Sequence, residues 1–127
     1  MNQVVIGVGS NIHPAENIAK TKKEIQRSHR FIAESAFVET KPVGYMDQPN
    51  FMNGAFRIET DLGFDDLKAW LLSTERALGR KRGKNRYGPR PIDLDIVVWN
   101  GRIVDDDFYE RDFLRNAVLE VWPDLQV

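Results

Sequence analysis

Seven basic side chains, Arg76, Arg80, Lys81, Arg82, Lys84, Arg86 and Arg90, run into the stretch Gly88-Pro89-Arg90-Pro91-Ile92-Asp93-Leu94-Asp95. Guanidinium groups grip phosphate oxygens through paired N–H donors, and carboxylate oxygens hold hard divalent cations such as Mg²⁺. Side by side, they are the parts needed to handle a metal-bound polyphosphate. Asp93 and Asp95 are two apart in an extended segment, so both point to one face with α-carbons about 6.5 Å apart. Two carboxylates that close repel unless a cation or proton is shared between them. Gly88-Pro89 turns the chain sharply into this segment and sets Arg90 where it can reach a phosphate on a metal held by the aspartates. A D-x-D pair alone is most often a solvated strand edge, and a basic run alone is most often a solvated loop. Their adjacency is what points to polyphosphate chemistry.

A second constellation is Phe51, Asn53 and Phe113. Two rings can sandwich a flat heteroaromatic molecule while an amide pairs with its donor and acceptor edge; in a small domain, phenylalanines are far more often core. Thr40-Lys41-Pro42-Val43-Gly44 could lend backbone groups to such a pocket. His13 and His29 lack the neighbours of a catalytic triad and read as surface histidines. Gly7-Val8-Gly9-Ser10-Asn11 resembles the start of a dinucleotide fingerprint, but Ile12 stands where the third glycine belongs, and no Walker-type P-loop exists.

The elements that must carry these residues fit one domain over 1–127, a length sufficient for a hydrophobic core without staples. The 18 Lys+Arg against 19 Asp+Glu leave a formal net charge of -1, so the basic run is a local concentration. Together with the lack of an RNP-type aromatic pattern, this argues against nucleic-acid binding. The absence of cysteine excludes thiol catalysis and zinc-thiolate sites. With no basic leader and no apolar run of spanning length, the expectation is a soluble cytoplasmic protein without membrane contact.

Gln3 to Ser10 reads as an inner strand emptying into a loop. Pro14 opens a helix with a thin stripe of Ile18, Thr21, Lys22 and Ile25. Phe31 to Glu39 reads as a second strand, Thr40 to Asn50 as a loop and Phe51 to Thr60 as a strand. Asp61 to Asp65 can cap a helix carrying Leu67, Trp70, Leu71 and Ala77-Leu78 until Gly79. Ile92, Leu94, Ile96 and Val98 form the apolar face of a further strand, opposite a face with Asp93, Asp95, Val97 and Trp99. After a turn at Asn100-Gly101, a final helix spans about Asp112 to Val121. The order β-α-β-β-α-β with a terminal helix predicts an α+β, ferredoxin-like antiparallel sheet with helices on one face.

Along nearly its whole length the chain resembles the 6-hydroxymethyl-7,8-dihydropterin pyrophosphokinases of folate biosynthesis. The resemblance runs through Gly9-Ser10-Asn11, Thr40-x-Pro42-x-Gly44, Asp47-Gln48-Pro49-x-Phe51-x-Asn53, Glu75-x-x-Leu78-Gly79-Arg80-x-Arg82, Gly88-Pro89-Arg90-x-Ile92-Asp93-Leu94-Asp95-Ile96 and Arg111-x-Phe113-Leu114. It implies a monomer that transfers pyrophosphate from ATP to the pterin hydroxymethyl group and releases AMP, with two Mg²⁺ on Asp93 and Asp95. Arg80 and Arg90 would contact phosphate, assisted by Arg82 and Arg111, and Glu75 would lie near the nucleotide. Pterin would stack between Phe51 and Phe113, its edge read by Asn53, Thr40 and the backbone around Val43. Tyr87 falls where the family often has tryptophan on a mobile loop, and Lys41 where it usually has proline. The family's proline-histidine segment before Arg111 is replaced by a shorter stretch with Asp105-Asp106-Asp107, acids that would repel phosphate; either Tyr109 would substitute as a hydroxyl donor for ATP or the nucleotide half of the site would be weakened. The alternative is a paralogue that binds a pterin or nucleotide with altered or no transfer activity.

Overall fold

The computed structural model describes residues 1–79 and 88–127. Strands β1 (Asn2–Ser10), β2 (Arg30–Glu34), β3 (Val38–Thr40), β4 (Phe51–Thr60), β5 (Asp93–Trp99) and β6 (Arg102–Ile103) form one antiparallel sheet. Its order is β2-β4-β1-β5-β6, with β3 also on β4. Helices α1 (Pro14–Ser28) and α2 (Phe64–Ala77) cover one face; a single turn, α3 (Asp107–Glu110), precedes α4 (Asp112–Val121). This is the expected α+β, ferredoxin-like arrangement.

Strand β1 is apolar on both faces because both are covered. Val4, Ile6 and Val8 point toward α1 and α2, joining Ile25, Phe56, Ile58, Leu67, Leu71, Ile92 and Leu94 in one core. Val5 points the other way, to a second core with Ala55, Val97, Leu114, Val118 and Val121. The C-terminal helix α4 therefore covers part of the opposite face. Arg57 holds it there: its guanidinium lies 4.1 Å from the Trp122 ring centroid, donates to the Val121 carbonyl at 3.3 Å and to Gln3 Oε1 at 2.7 Å. As expected, α1 buries only a thin stripe, through Asn17, Thr21 and Ile25.

Two details depart from the sequence pattern. The strand expected over Phe31 to Glu39 is split into β2 and β3. Ser35 caps the break by donating its N–H to the Ala55 carbonyl at 3.0 Å and accepting the Ala55 N–H on Oγ at 2.8 Å. The slack lets Phe37 turn inward over Gly54 and against Phe56, 5.8 Å between ring centroids. In β5, Val98 pairs with Val5 and Ile96 with Ile6, so Val97 is an extra, bulged residue. Beyond the bulge the faces exchange: Val98 joins the α4 core and Trp99 meets Phe64 of α2 at 5.4 Å. The predicted strict alternation of Val98 with Trp99 is corrected accordingly.

Turn chemistry agrees with the sequence at two places. Asn100 (φ 50) and Gly101 (φ 86) are both left-handed, as a tight two-residue hairpin between β5 and β6 requires. Gly79 (φ 96) ends α2 by donating its N–H to the Arg76 carbonyl at 3.0 Å. Gly63, not an aspartate, occupies the N-cap of α2, with Asp65 and Asp66 in its first turn.

His29 is not the free surface histidine expected. It is half-buried, its Nδ1 lies 2.9 Å from Thr60 Oγ1, and its ring stands edge-on to Trp70 at 4.4 Å. Burial holds its pKa below the ordinary value for histidine. The unfolded chain therefore takes up this proton first as pH falls. The stabilisation is complete above the unfolded value and is lost as pH falls through the folded one. Urea unfolding at pH 7.5 and 5.5 is expected to show a larger acid loss of stability in the wild type than in His29→Gln.

Candidate active-site cleft

The register of three strands sets out the site. Gly9 of β1 lies between Asn53 of β4 and Asp93 of β5, and Gly7 lies between Ala55 and Asp95. Val38 extends the first of these rungs through its pairing with Asn53. By strand alternation, Thr40, Phe51, Asn53, Gly7, Gly9, Asp93 and Asp95 share one face. Glycine at 7 and 9 keeps that floor low. A Cβ on Gly9 would lie 2.7 Å from Asn53 Oδ1, and one on Gly7 would press on Val97 and Leu114 at 3.2 and 3.3 Å.

A cleft of about 840 Å³ opens over this floor and continues around β5 toward α2. Among the expected site residues, Thr40, Val43, Phe51, Asn53, Glu75, Arg90, Asp93, Asp95, Arg111 and Phe113 all line it. Asn53 Nδ2 donates to Thr40 Oγ1 at 2.5 Å, which fixes the amide over Gly9. Arg90 Nη1 pairs with Asp93 Oδ2 at 2.8 Å, both side chains about one-fifth exposed. Asp95 is exposed. Arg111 sits at the start of α4 with Nε 3.6 Å from Asp107 Oδ2.

Glu75 is 3% exposed and accepts the Leu94 N–H on Oε2 at 2.7 Å. Among the described residues, no strand pairs with β5 on its outer side between Asp93 and Val97. The α2 carboxylate takes a main-chain donor that a neighbouring strand would otherwise take, and it does so midway between the two aspartates.

Tyr109 is the expected residue that the cleft does not include: it is 62% exposed and packs edge-on against Phe108. Phe108 is the buried ring of that turn, because α3 has room to bury only one side. Arg80, Arg82 and Tyr87 lie outside the described residues, as do Lys81, Lys84 and Arg86.

The sequence reading missed Lys68 and Leu72 of α2, which line the cleft; Asp105, Asp106 and Asp107, noted in place of the family's proline-histidine segment, line it as well. Lys68 falls on the exposed side of a helical pattern, so only the third dimension brings it here. Burial pushes the Asp105 carboxyl above its usual range; a hydrogen bond from the Asp107 N–H (2.9 Å) opposes this, while the charges of Asp107, Asp106 and Asp93 add to the rise. Asp93 and Asp105 thus repel across the cleft. The described lining carries six carboxylates, of Glu75, Asp93, Asp95, Asp105, Asp106 and Asp107, against the cations of Lys41, Lys68, Arg90 and Arg111.

The pair Asp93 and Asp95 fits a hard divalent cation, with carboxylate oxygens projecting from one strand face and, among the described lining residues, no histidine, cysteine or methionine beside them. Among the described residues, no group of three or more potential ligands is gathered into a complete metal cage. A cation here would need oxygens from a bound ligand or from water. Mg²⁺ bridged to phosphate is coordinated in that way.

Fold and cleft together define an α+β protein with a cleft on one face of an antiparallel sheet, lined by the acid pair Asp93 and Asp95, the Asn53 amide and the rings of Phe51 and Phe113. The chain belongs to the 7,8-dihydro-6-hydroxymethylpterin-pyrophosphokinase family, whose model matches residues 5–123. A 2-amino-4-hydroxy-6-hydroxymethyldihydropteridine pyrophosphokinase of Methylorubrum extorquens is 36% identical, over 100% of this chain and 87% of that protein. The enzyme of that name from Bacillus subtilis is 33% identical, over 95% of this chain and 79% of its own length. The mitochondrial folate synthesis bifunctional protein of Arabidopsis thaliana is 38% identical over 98% of this chain. This chain spans only about a quarter of the length of such plant proteins. No helix among the described residues is long and apolar enough to cross a membrane.

Glu75→Ala is expected to lower unfolding stability by about 1–3 kcal/mol, the cost of leaving a buried N–H unpaired. Glu75→Gln keeps an acceptor oxygen and should recover most of the loss. Urea denaturation of the three proteins measures both effects.

Proposed function

We propose that this chain transfers pyrophosphate from ATP to the hydroxymethyl group of 6-hydroxymethyl-7,8-dihydropterin, releasing AMP, the step of folate biosynthesis that its family name describes. The observation that carries this reading is the shared rung Asn53–Gly9–Asp93, with Asp95 one rung further along. It sets an amide suited to a pterin edge and a carboxylate pair suited to a metal-bound phosphate on one floor, with only glycine between them. The whole of 1–127 acts as one pyrophosphokinase unit, a monomer in the cytoplasm.

In this reading Phe51 and Phe113 hold the flat pterin by stacking, while Asn53, oriented by Thr40, and the backbone around Val43 read its edge. Asp93 and Asp95 hold two Mg²⁺, which when bound neutralise phosphate charge and polarise the β-phosphoryl group. Arg90 is poised on Asp93 and can turn part of its guanidinium to phosphate. Arg80 and Arg82 contribute further cations, Arg111 contacts phosphate from the start of α4, and Glu75 fixes β5 beside the nucleotide.

The pterin hydroxymethyl oxygen attacks the β-phosphorus, and the bond from that phosphorus to the oxygen bridging it to the α-phosphorus breaks. That oxygen leaves with AMP, and the hydroxyl proton passes to solvent. Alignment and charge neutralisation carry such a displacement more than proton removal does.

The acid excess in the described lining supports the Mg²⁺ requirement, because ATP is itself a polyanion and would be repelled without added cations. The same acids give the second reading its specific support. Asp105, Asp106 and Asp107 line the cleft and Tyr109 does not, as would suit a paralogue with altered or no transfer activity.

Incubation with ATP, Mg²⁺ and the hydroxymethyl-dihydropterin, followed by chromatography, is expected to yield AMP and pterin pyrophosphate in equal amounts. Asp95→Ala should reduce turnover by about two orders of magnitude or more with little change in melting temperature, since the side chain is exposed. Pterin binding without product in the wild type would select the paralogue. Phe113→Ala is expected to weaken pterin binding about tenfold or more while changing ATP affinity much less. Equal losses for both ligands would assign Phe113 to packing.

A further inference from the structure

Helix α4 brings Phe113 to the cleft at one end and meets Arg57 of β4 at the other. Leu114 stands over Gly7, where an added Cβ would meet its Cδ1 at 3.3 Å. Val121 lies at Arg57, two residues further along β4 than Ala55, the partner of Gly7. The helix therefore runs from the ligand end of the sheet toward Arg57, over ten residues and about 15 Å. Phe51, Asn53, Ala55 and Arg57 share one face of β4. One strand thus carries a ring and the amide of the cleft together with the contact for the helix's last turn. There Arg57 donates Nη1 to the Val121 carbonyl and Nη2 to Gln3 of β1, with its guanidinium carbon over the Trp122 ring. In the same turn Glu120 Oε2 accepts the Ala36 N–H at 2.5 Å.

We propose that Arg57 is a positioning residue: acting through α4, it sets where Phe113 stands relative to Phe51, and so the slot that takes the pterin ring. The proposal rests on the assignment of pterin to those two rings. Along its body α4 is held by Leu114, Ala117, Val118 and Val121, all apolar contacts. Apolar burial is non-directional, so it keeps the helix on the sheet without defining its place along the strand. The hydrogen bonds of the last turn do define it. A guanidinium suits this task because it is a planar, rigid fork. One arm meets a carbonyl at the negative end of the helix, the other meets β1, and the face packs on an indole. Arg57 Nε is buried with no hydrogen-bond partner among the described residues, so the two Nη bonds and the ring are what orient the group. Contact between flat rings weakens steeply once a gap opens between them, so an axial slip of α4 is felt directly by a flat ligand.

Calorimetric titration with 6-hydroxymethyl-7,8-dihydropterin, at saturating Mg²⁺ and α,β-methylene-ATP and well below each melting temperature, compares the wild type, Arg57→Met, Phe113→Ala and the double variant. Arg57→Met keeps the apolar stem and removes the fork. It is expected to weaken pterin binding about 5- to 10-fold. Affinity for Mg²⁺ and α,β-methylene-ATP, titrated without pterin, is expected to stay within about 3-fold, because Arg90, Asp93 and Asp95 do not ride on α4. The double variant should bind pterin within about 2-fold of Phe113→Ala alone, since Arg57 acts through that ring. Arg57→Lys keeps the charge without the fork and should fall between the wild type and Arg57→Met.

Unchanged pterin affinity in Arg57→Met, with only the melting temperature lowered, would make the contact purely structural and overturns the proposal. Losses that multiply in the double variant also overturn it, because Arg57 and Phe113 would then act independently. If Arg57→Met does not fold, Arg57→Lys takes its place in the same cycle and is judged by the same two criteria. A wild type that binds no pterin refutes the functional assignment itself, and the positioning role with it.

Discussion

Antiparallel pairing of β1 with β4 on one side and β5 on the other is the constraint on which the cleft depends. The central strand contributes glycine to both rungs of the floor, so every chemically active side chain on those rungs comes from a neighbour. Side chains alternate with period two, and a slip of one residue in either pairing would send Asn53 or the aspartates into the apolar layer beneath α1 and α2. That same layer is matched to the register, since Val4, Ile6 and Val8 pack in it beneath α1 and α2. Hydrophobic burial and the polar geometry above it thus share one register.

Two helices act on the cleft from outside the sheet. From α2, Glu75 reaches the main chain of β5 and gives its outer side a hydrogen-bond partner. From the other face, α4 brings Arg111 and Phe113 to the rim, and the packing of Arg57 on Trp122 secures its far end. The charges that face the cleft are mounted on elements whose own stability is apolar. The acid pair is therefore held in place by packing that does not depend on its charge.

Most of this was legible in the residues. Strand β4 and helix α4 have the bounds their patterns suggested, because each has a clean period and a clear terminator. The acid pair, Phe51, Asn53 and Phe113 could be singled out by type and spacing, and all of them line one cleft. Three features were hidden for identifiable reasons. The break between β2 and β3 depends on the Ser35 side chain bonding to the Ala55 main chain, a contact with no local signature. The bulge at Val97 inserts one more apolar residue into an apolar run, so the pattern looks unbroken. The approach of Asp105 to Asp93 is made through the hairpin at Asn100-Gly101, and a run of acids alone reads as solvated surface. His29 is a similar case, since its burial comes from Trp70 and Thr60, both distant in sequence.

The bulge at Val97 gives β5 the character of a clutch. Upstream, the strand's phase is dictated by the cleft floor; downstream, by the wedge of Val98 under α4 and Trp99 against Phe64. The extra residue lets the two halves run out of step, so neither has to compromise for the other. Change can accumulate at the ligand-facing end without re-sorting the apolar end, and the apolar end can be repacked without turning an aspartate away. A single strand thereby behaves as two independently adjustable parts.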